Sequence, residues 1–362
     1  AAPSQAPPPQ RAQPTPPPGR QGQSPCDTVD LLPVAKPQPL DQRPHGRVLV
    51  GGRGLRALDL ASGEVTELTG MRPHEAVLTV QPGPDTPYVL AQEVELCSYR
   101  SNRAYRLSEG HLDPLPTGSA ADELLTGPQG VWSLNFGSHA VTLHPAQPGP
   151  TFHLDGFPVA DTEEGIVVSR GGTQSRAPRL ALVGTDGHRV RSLGRGDVYG
   201  VSDKGIMLVA DIDGRGMPHR HCGLTLRDAA TGQTDARYFT PPGRSIASRV
   251  VFGPHAHLAA MLLSRGHADP RWHAAHPGPP ADVAVLNLGN GKWRIAPGLE
   301  LPPKSQAALA FDPTGSWIMA AVDYGDHTRI FGWRPGLPSV GVLADLPGDD
   351  PVSPALLTVP SG

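Results

Sequence analysis

One pattern recurs along this chain and limits the folds open to it. From residue 44 onward a short β-like run leads to a turn, then to a strongly apolar strand, a loop and a hairpin. The apolar strands begin near Val48, Tyr88, Val131, Ile166, Ile206, Leu258 and Trp317, at intervals of 35 to 59 residues. Turn signals stand before most of them, as in Pro128-Gln-Gly130, Glu163-Glu-Gly165, Asp203-Lys-Gly205 and Asp312-Pro-Thr-Gly315. Later in several units Gly63, Gly187, Gly232 and Gly291 sit where a short hairpin loop requires a left-handed residue.

Composition agrees. Gly and Pro number 43 each in 362 residues, and both interrupt helix interiors. Apolar residues at 38% still allow a core. A net charge of −3 leaves no electrostatic footprint for nucleic acid or an anionic membrane. The longest apolar run, near Leu258–Leu263, is too short to span a bilayer.

Four short strands repeated seven times predict an all-β fold, a seven-bladed β-propeller of four-stranded blades. The first unit supplies only three strands, near Arg47–Gly51, Leu55–Leu60 and Glu64–Leu68. A leftover strand, Pro354–Val359, is predicted to complete blade one and clasp the ring. Six or eight blades are the alternatives, because the units between about 250 and 340 are long. The segment Phe311-Asp-Pro-Thr-Gly315-Ser-Trp-Ile-Met-Ala320 resembles the strand hairpin of TolB-like and WD-repeat-like propellers. The chain looks most like secreted TolB-like propellers of actinobacterial type. That resemblance implies a non-catalytic interaction surface and transfers no active-site residue.

The chain divides into a Pro-rich leader or spacer, 1–43, and the propeller, 44–362. Residues 1–25 hold nine prolines, two arginines and no acidic or aromatic residue, a composition that populates polyproline II. The start at Ala1-Ala2-Pro3 suits a mature protein cut at a small-residue site, which implies a secreted or cell-envelope location. In that compartment a Cys26–Cys97 disulfide with Cys222 free is expected.

The loops between second and third strands in blades five and six are long and polar. With the matching loop of blade seven they gather His219, His221, His267, Trp272, His273, His276 and His327 on one rim. Trp272 is the candidate exposed anchor, and His219, His221, His273, His276 and His327 complete the candidate binding set. Imidazole with thiolate suits copper or zinc, so His219, His221, Cys222, His267, His273 and His276 are candidate ligands. Their spacing matches no defined metal motif, and loop histidines are commonly just solvated. Trp132 and Trp317 are expected to pack between blades.

No Gly-x-Ser-x-Gly elbow, P-loop or Cys-x-x-Cys is present. The leading expectation is a monomeric, non-enzymatic, extracytoplasmic propeller with no cofactor, binding a protein or envelope polymer through its loop-rich face. The alternative is a metal-dependent enzyme, or a small-ligand sensor using the His-rich loops or the central funnel.

Overall fold

The structure, a computed structural model, describes residues 40–83, 85–95, 98–115, 122–127, 129–135, 140–144, 151–171, 177–210, 223–242, 244–265, 280–299, 301–302, 305–348 and 354–359. Among these residues every helix or strand element is a strand, and the strands form seven antiparallel sheets. No helix among them is long and apolar enough to cross a membrane.

The seven innermost strands run around a channel. They are Ala355–Val359 in blade one, Glu75–Gln81 in two, Glu123–Gly127 in three, Phe157–Thr162 in four and Val198–Val201 in five. Blade six supplies a split strand, Arg244–Ile246 and Val251–Phe252, and blade seven supplies Ala307–Phe311. Each touches the next around the ring, and Ala355–Val359 touches both Ala307–Phe311 and Glu75–Gln81. The ring therefore closes on seven blades.

The clasp is the one predicted from sequence. Ala355–Val359 pairs with Arg47–Gly52 in register, from Arg47 opposite Val359 to Gly51 opposite Ala355. The strand satisfies the inner edge of blade one, which would otherwise expose a row of backbone donors and acceptors. The length of the sixth and seventh units comes from connections. Residues 266–279 join two strands of blade six, and 296–306 join blade six to blade seven. Leu40 packs against the cluster between blades seven and one, and Arg43 Nη2 donates to Leu343 O at 2.6 Å.

The apolar repeats are the second strands, and their residue alternation explains the composition. Ile166 and Val168 face the blade three–four cluster, while Val167 between them faces the blade four–five cluster. Ala260 and Leu262 feed the six–seven cluster, whereas Ala259, Met261 and Leu263 feed the five–six cluster. A strand covered on both faces must be apolar at every position, because successive side chains point to opposite sides. Burying each Val or Leu stabilises by roughly 1.5–3 kcal/mol. Seven such clusters lie one at each blade boundary. Trp132 is fully buried between blades three and four, edge-on to Phe152 at 5.6 Å. Trp317 lies between blades seven and one.

The hairpins obey local chemistry. In the Phe311–Ala320 segment, Asp312 Oδ1 accepts from Trp317 N at 2.8 Å, and Asp312 Oδ2 accepts from Thr314 Oγ1 at 2.6 Å. Gly315 sits at φ +71°, where a Cβ would be strained. The third-to-fourth-strand turns repeat the device. Asp59 Oδ1 accepts from Ser62 N at 2.8 Å, and Asp228 Oδ1 accepts from Thr231 N at 2.7 Å. The backbone amides of Ser62 and Thr231 hold both carboxyls below the usual aspartate range.

Candidate binding faces

The two rims of the ring are built unequally. Turns from first to second strand, and from third to fourth, lie on one rim. Three of them, 109–110, 128–129 and 163–164, are two residues long, and the rest run four to seven residues. The opposite rim carries the second-to-third connections and the blade-to-blade connections. Three successive blades place long connections there: 171–178, 211–222 and 266–279. Long connections on a rigid scaffold are where binding residues concentrate.

Of the predicted rim residues, only His327 lies within the described chain. His219, His221, Cys222, His267, Trp272, His273 and His276 lie outside the described residues, as do Cys26 and Cys97. Among the described residues no group of three or more His, Cys, Asp or Glu side chains is arranged to hold a metal ion.

His327 begins the third strand of blade seven, on the same rim as the long connections. Its Nδ1 is 2.6 Å from Asp326 Oδ1, and its ring stacks on Tyr324 at 5.1 Å with planes 6° apart. The His327 hydrogen bond holds the Asp326 carboxyl below the usual range. Arg329 Cζ lies 5.8 Å from the Tyr324 ring centre, close enough for cation–π attraction. Arg329 Nε donates to Asp345 Oδ1 at 2.6 Å and Nη2 to Oδ2 at 3.1 Å, which pushes the guanidinium pKa up. This aromatic and charged patch sits at the edge of the loop sector.

Where strand Leu258–Arg265 ends and strand Pro280–Asn287 begins lies a polar network with no signature in the sequence. Arg244 Nε donates to Asp282 Oδ2 at 2.7 Å, with both side chains at most 5% exposed. Arg265 Nη2 donates to Asp282 Oδ1 at 2.8 Å, and Ser245 and Ser264 hydroxyls meet at 2.6 Å. The network ties together the strand ends that launch and receive the connection. A second anchor lies at connection 211–222, where Gly223 pairs with Phe239, which is 55% exposed. Long-range pairing of this kind has no signature at sequence spacing.

The innermost strands of blades one, two, six and seven line another concave site, a cavity of about 250 Å³. Two irregularities in innermost strands shape it. A bulge between Val77 and Thr79 leaves Leu78 unpaired and 38% exposed. The break between Ile246 and Val251 releases Ser248 and Arg249. Bulges re-aim side chains in this way. Leu78, Val80, Val251, Leu309 and Leu356 give the cavity an apolar wall, to which Ser248 and Arg249 add polar groups. Arg249 Nη2 reaches across to blade three and donates to Glu123 Oε1 at 2.9 Å.

No protein-family model matches the chain, and no curated protein matches it. Solved structures share its fold. A candidate 6-phosphogluconolactonase from Bacteroides uniformis is similar over 86% of this chain and 99% of its own, with 11% identity and a TM-score of 0.55. One from Bacteroides fragilis is similar over 90% of this chain and 100% of its own, with 13% identity and a TM-score of 0.50. TolB from Acinetobacter baumannii matches over 86% of this chain and 66% of its own, with 13% identity and a TM-score of 0.46. At these identities the two lactonase-like structures show the propeller fold alone, and the TolB likeness adds nothing to it.

Proposed function

We propose that this protein is a non-enzymatic propeller that binds a protein or cell-envelope polymer outside the cytoplasm. The binding face is the rim that carries 171–178, 211–222 and 266–279. The inequality of the two rims supports this reading most strongly. No turn of the opposite rim is longer than seven residues. Here three neighbouring blades carry connections of eight to fourteen residues on one side, and the buried Arg244–Asp282 pair fixes the strand ends that bound one of them. The Tyr324–His327–Arg329 patch extends the same face with groups suited to protein contact. The Pro-rich leader and a Cys26–Cys97 disulfide belong to the same proposal, as a spacer and a staple suited to an exported protein.

The test is loop replacement. Residues 267–278 are exchanged for a Gly-Ser linker, which leaves Arg265 and Asp282 in place. The expected result is loss of partner retention from an envelope fraction with an unchanged melting temperature. Retention equal to the unaltered protein would place binding elsewhere.

A further inference from the structure

We propose that the cavity lined by Leu78 and Arg249 is a binding site for a small amphipathic anion with an apolar tail and a carboxylate head. This site is separate from the rim and does not depend on it.

Three observations converge. First, the wall is apolar and unfinished. Leu78 is 38% exposed at a bulge that turns it out of the strand register, beside Val80, Val251, Leu309 and Leu356. Val80, Leu309 and Leu356 are at most 8% exposed, so the apolar surface that a tail removes from water is chiefly that of Leu78. Second, the cationic pole is single and accessible. Ser248 is already engaged, accepting from Leu262 N at 2.9 Å and donating to Arg249 O at 2.8 Å. Arg249 is the charged group that lines the cavity, and its side chain is 69% exposed. Third, that guanidinium is held by a carboxylate from across the channel. Glu123 belongs to blade three, and blades four and five separate it from blade six. An exposed ion pair of this kind is weak, so a ligand carboxylate exchanges for Glu123 at little cost. The Glu123 side chain then acts as a built-in competitor that occupies the head-group position of the ligand.

Size sets the class. A cavity of about 250 Å³ that opens to solvent suits a small ligand and not a macromolecular segment.

Calorimetric titration of the full chain with butyrate, hexanoate, octanoate and decanoate tests the proposal, with octylammonium as the charge control. Binding is expected to strengthen along the series up to octanoate, and octylammonium is expected not to bind. Arg249→Ala should weaken octanoate at least about tenfold, because the head group loses the one cation among the described lining residues. Glu123→Gln should tighten it several-fold by removing the competitor. Both side chains are solvent-accessible, and matching melting curves confirm that the variants fold. Absence of binding by every acid up to about 10 mM, where interaction energies fall to the weakest measurable range, overturns the proposal. So does octanoate affinity unchanged in Arg249→Ala, weakened in Glu123→Gln, or matched by octylammonium.

Discussion

Gln81 and Thr126 lock two innermost strands together. Gln81 Oε1 accepts from Thr126 N at 3.1 Å and from Thr126 Oγ1 at 3.2 Å. On its other side Gln81 Nε2 donates to Leu124 O at 2.9 Å. The lock joins blades two and three, where the buried apolar cluster among the described residues is the smallest of the seven. The described buried cluster there is Tyr88, Leu90, Ala104, Leu124 and Val131, whereas the seam between blades six and seven buries fifteen residues.

Gln81→Leu is therefore expected to destabilise the protein more than its partial exposure suggests. Thr126 N–H and Leu124 C=O lose their partner while remaining shielded, at a cost of about 1–3 kcal/mol. Thermal melting should fall by a few degrees. An unchanged melting temperature would mean that water replaces the amide without loss.

Asp282 carries a larger share. It is 5% exposed at the side chain and neutralises Arg244, which is 3% exposed. Asp282→Ala strands a buried guanidinium and should cost about 3–5 kcal/mol. Chemical denaturation reads this directly. Replacing Arg244 and Asp282 together with apolar residues should recover part of the loss, since both charges then vanish. A double variant as unstable as the single one would show that the pair is not the source.

Asp161 gives the protein an unusual pH response. The carboxyl is buried under Gly127, receives Gln129 N–H at 2.9 Å, and is pushed up to about 6, chiefly by desolvation. Between about pH 4 and pH 6 the unfolded chain has lost this proton and the folded chain has kept it. Folding then takes up a proton, so this contribution makes stability fall as pH rises through the window. Above it a penalty on the order of 3 kcal/mol persists. Asp161→Asn should flatten this part of the profile and raise stability at pH 7 relative to pH 4. Melting curves at several pH values measure it, and an unaltered profile would contradict the assignment. The depressed Asp59 and Asp228 act with opposite sign: their contribution is present above about pH 4 and is lost on acidification.

Removal of 354–362 should break the ring. The truncated chain loses the pairing of Leu356 with Val50 and exposes the inner edge of blade one. Aggregation on gel filtration, or a broad non-cooperative melt, is expected. A monomer with the original transition would show that the clasp is dispensable.

Much of this architecture was legible in the residues because its determinants are local. Gly63, Gly187, Gly232 and Gly291, placed by turn chemistry alone, all lie at positive φ. The terminal strand could be assigned because the first unit is one strand short. The blade count was less clear, since residues 266–279 and 296–306 lengthen their units without adding strands. The channel and the buried pair escaped notice for a different reason. Arg249 meets Glu123 across 126 positions and Arg244 meets Asp282 across 38, and nothing in their neighbourhoods marks them. The bulge at Leu78 interrupts a run, Glu75–Gln81, that reads as an ordinary strand. The rim histidines drew attention by composition. Of them His327 alone is described, and it stacks on Tyr324 beside Arg329.

The binding face is tested most directly by site-specific photo-cross-linking in cells that carry the protein at its native location. One variant places the photoreactive residue at Asp326, 86% exposed on the loop-rich rim. The other places it at Lys204, exposed in the 202–205 turn on the opposite rim. A rim-specific binding protein should give a discrete adduct from position 326 and none from position 204. An adduct from position 204 alone, or equal adducts from both, would contradict the assignment of the loop-rich rim as the binding face.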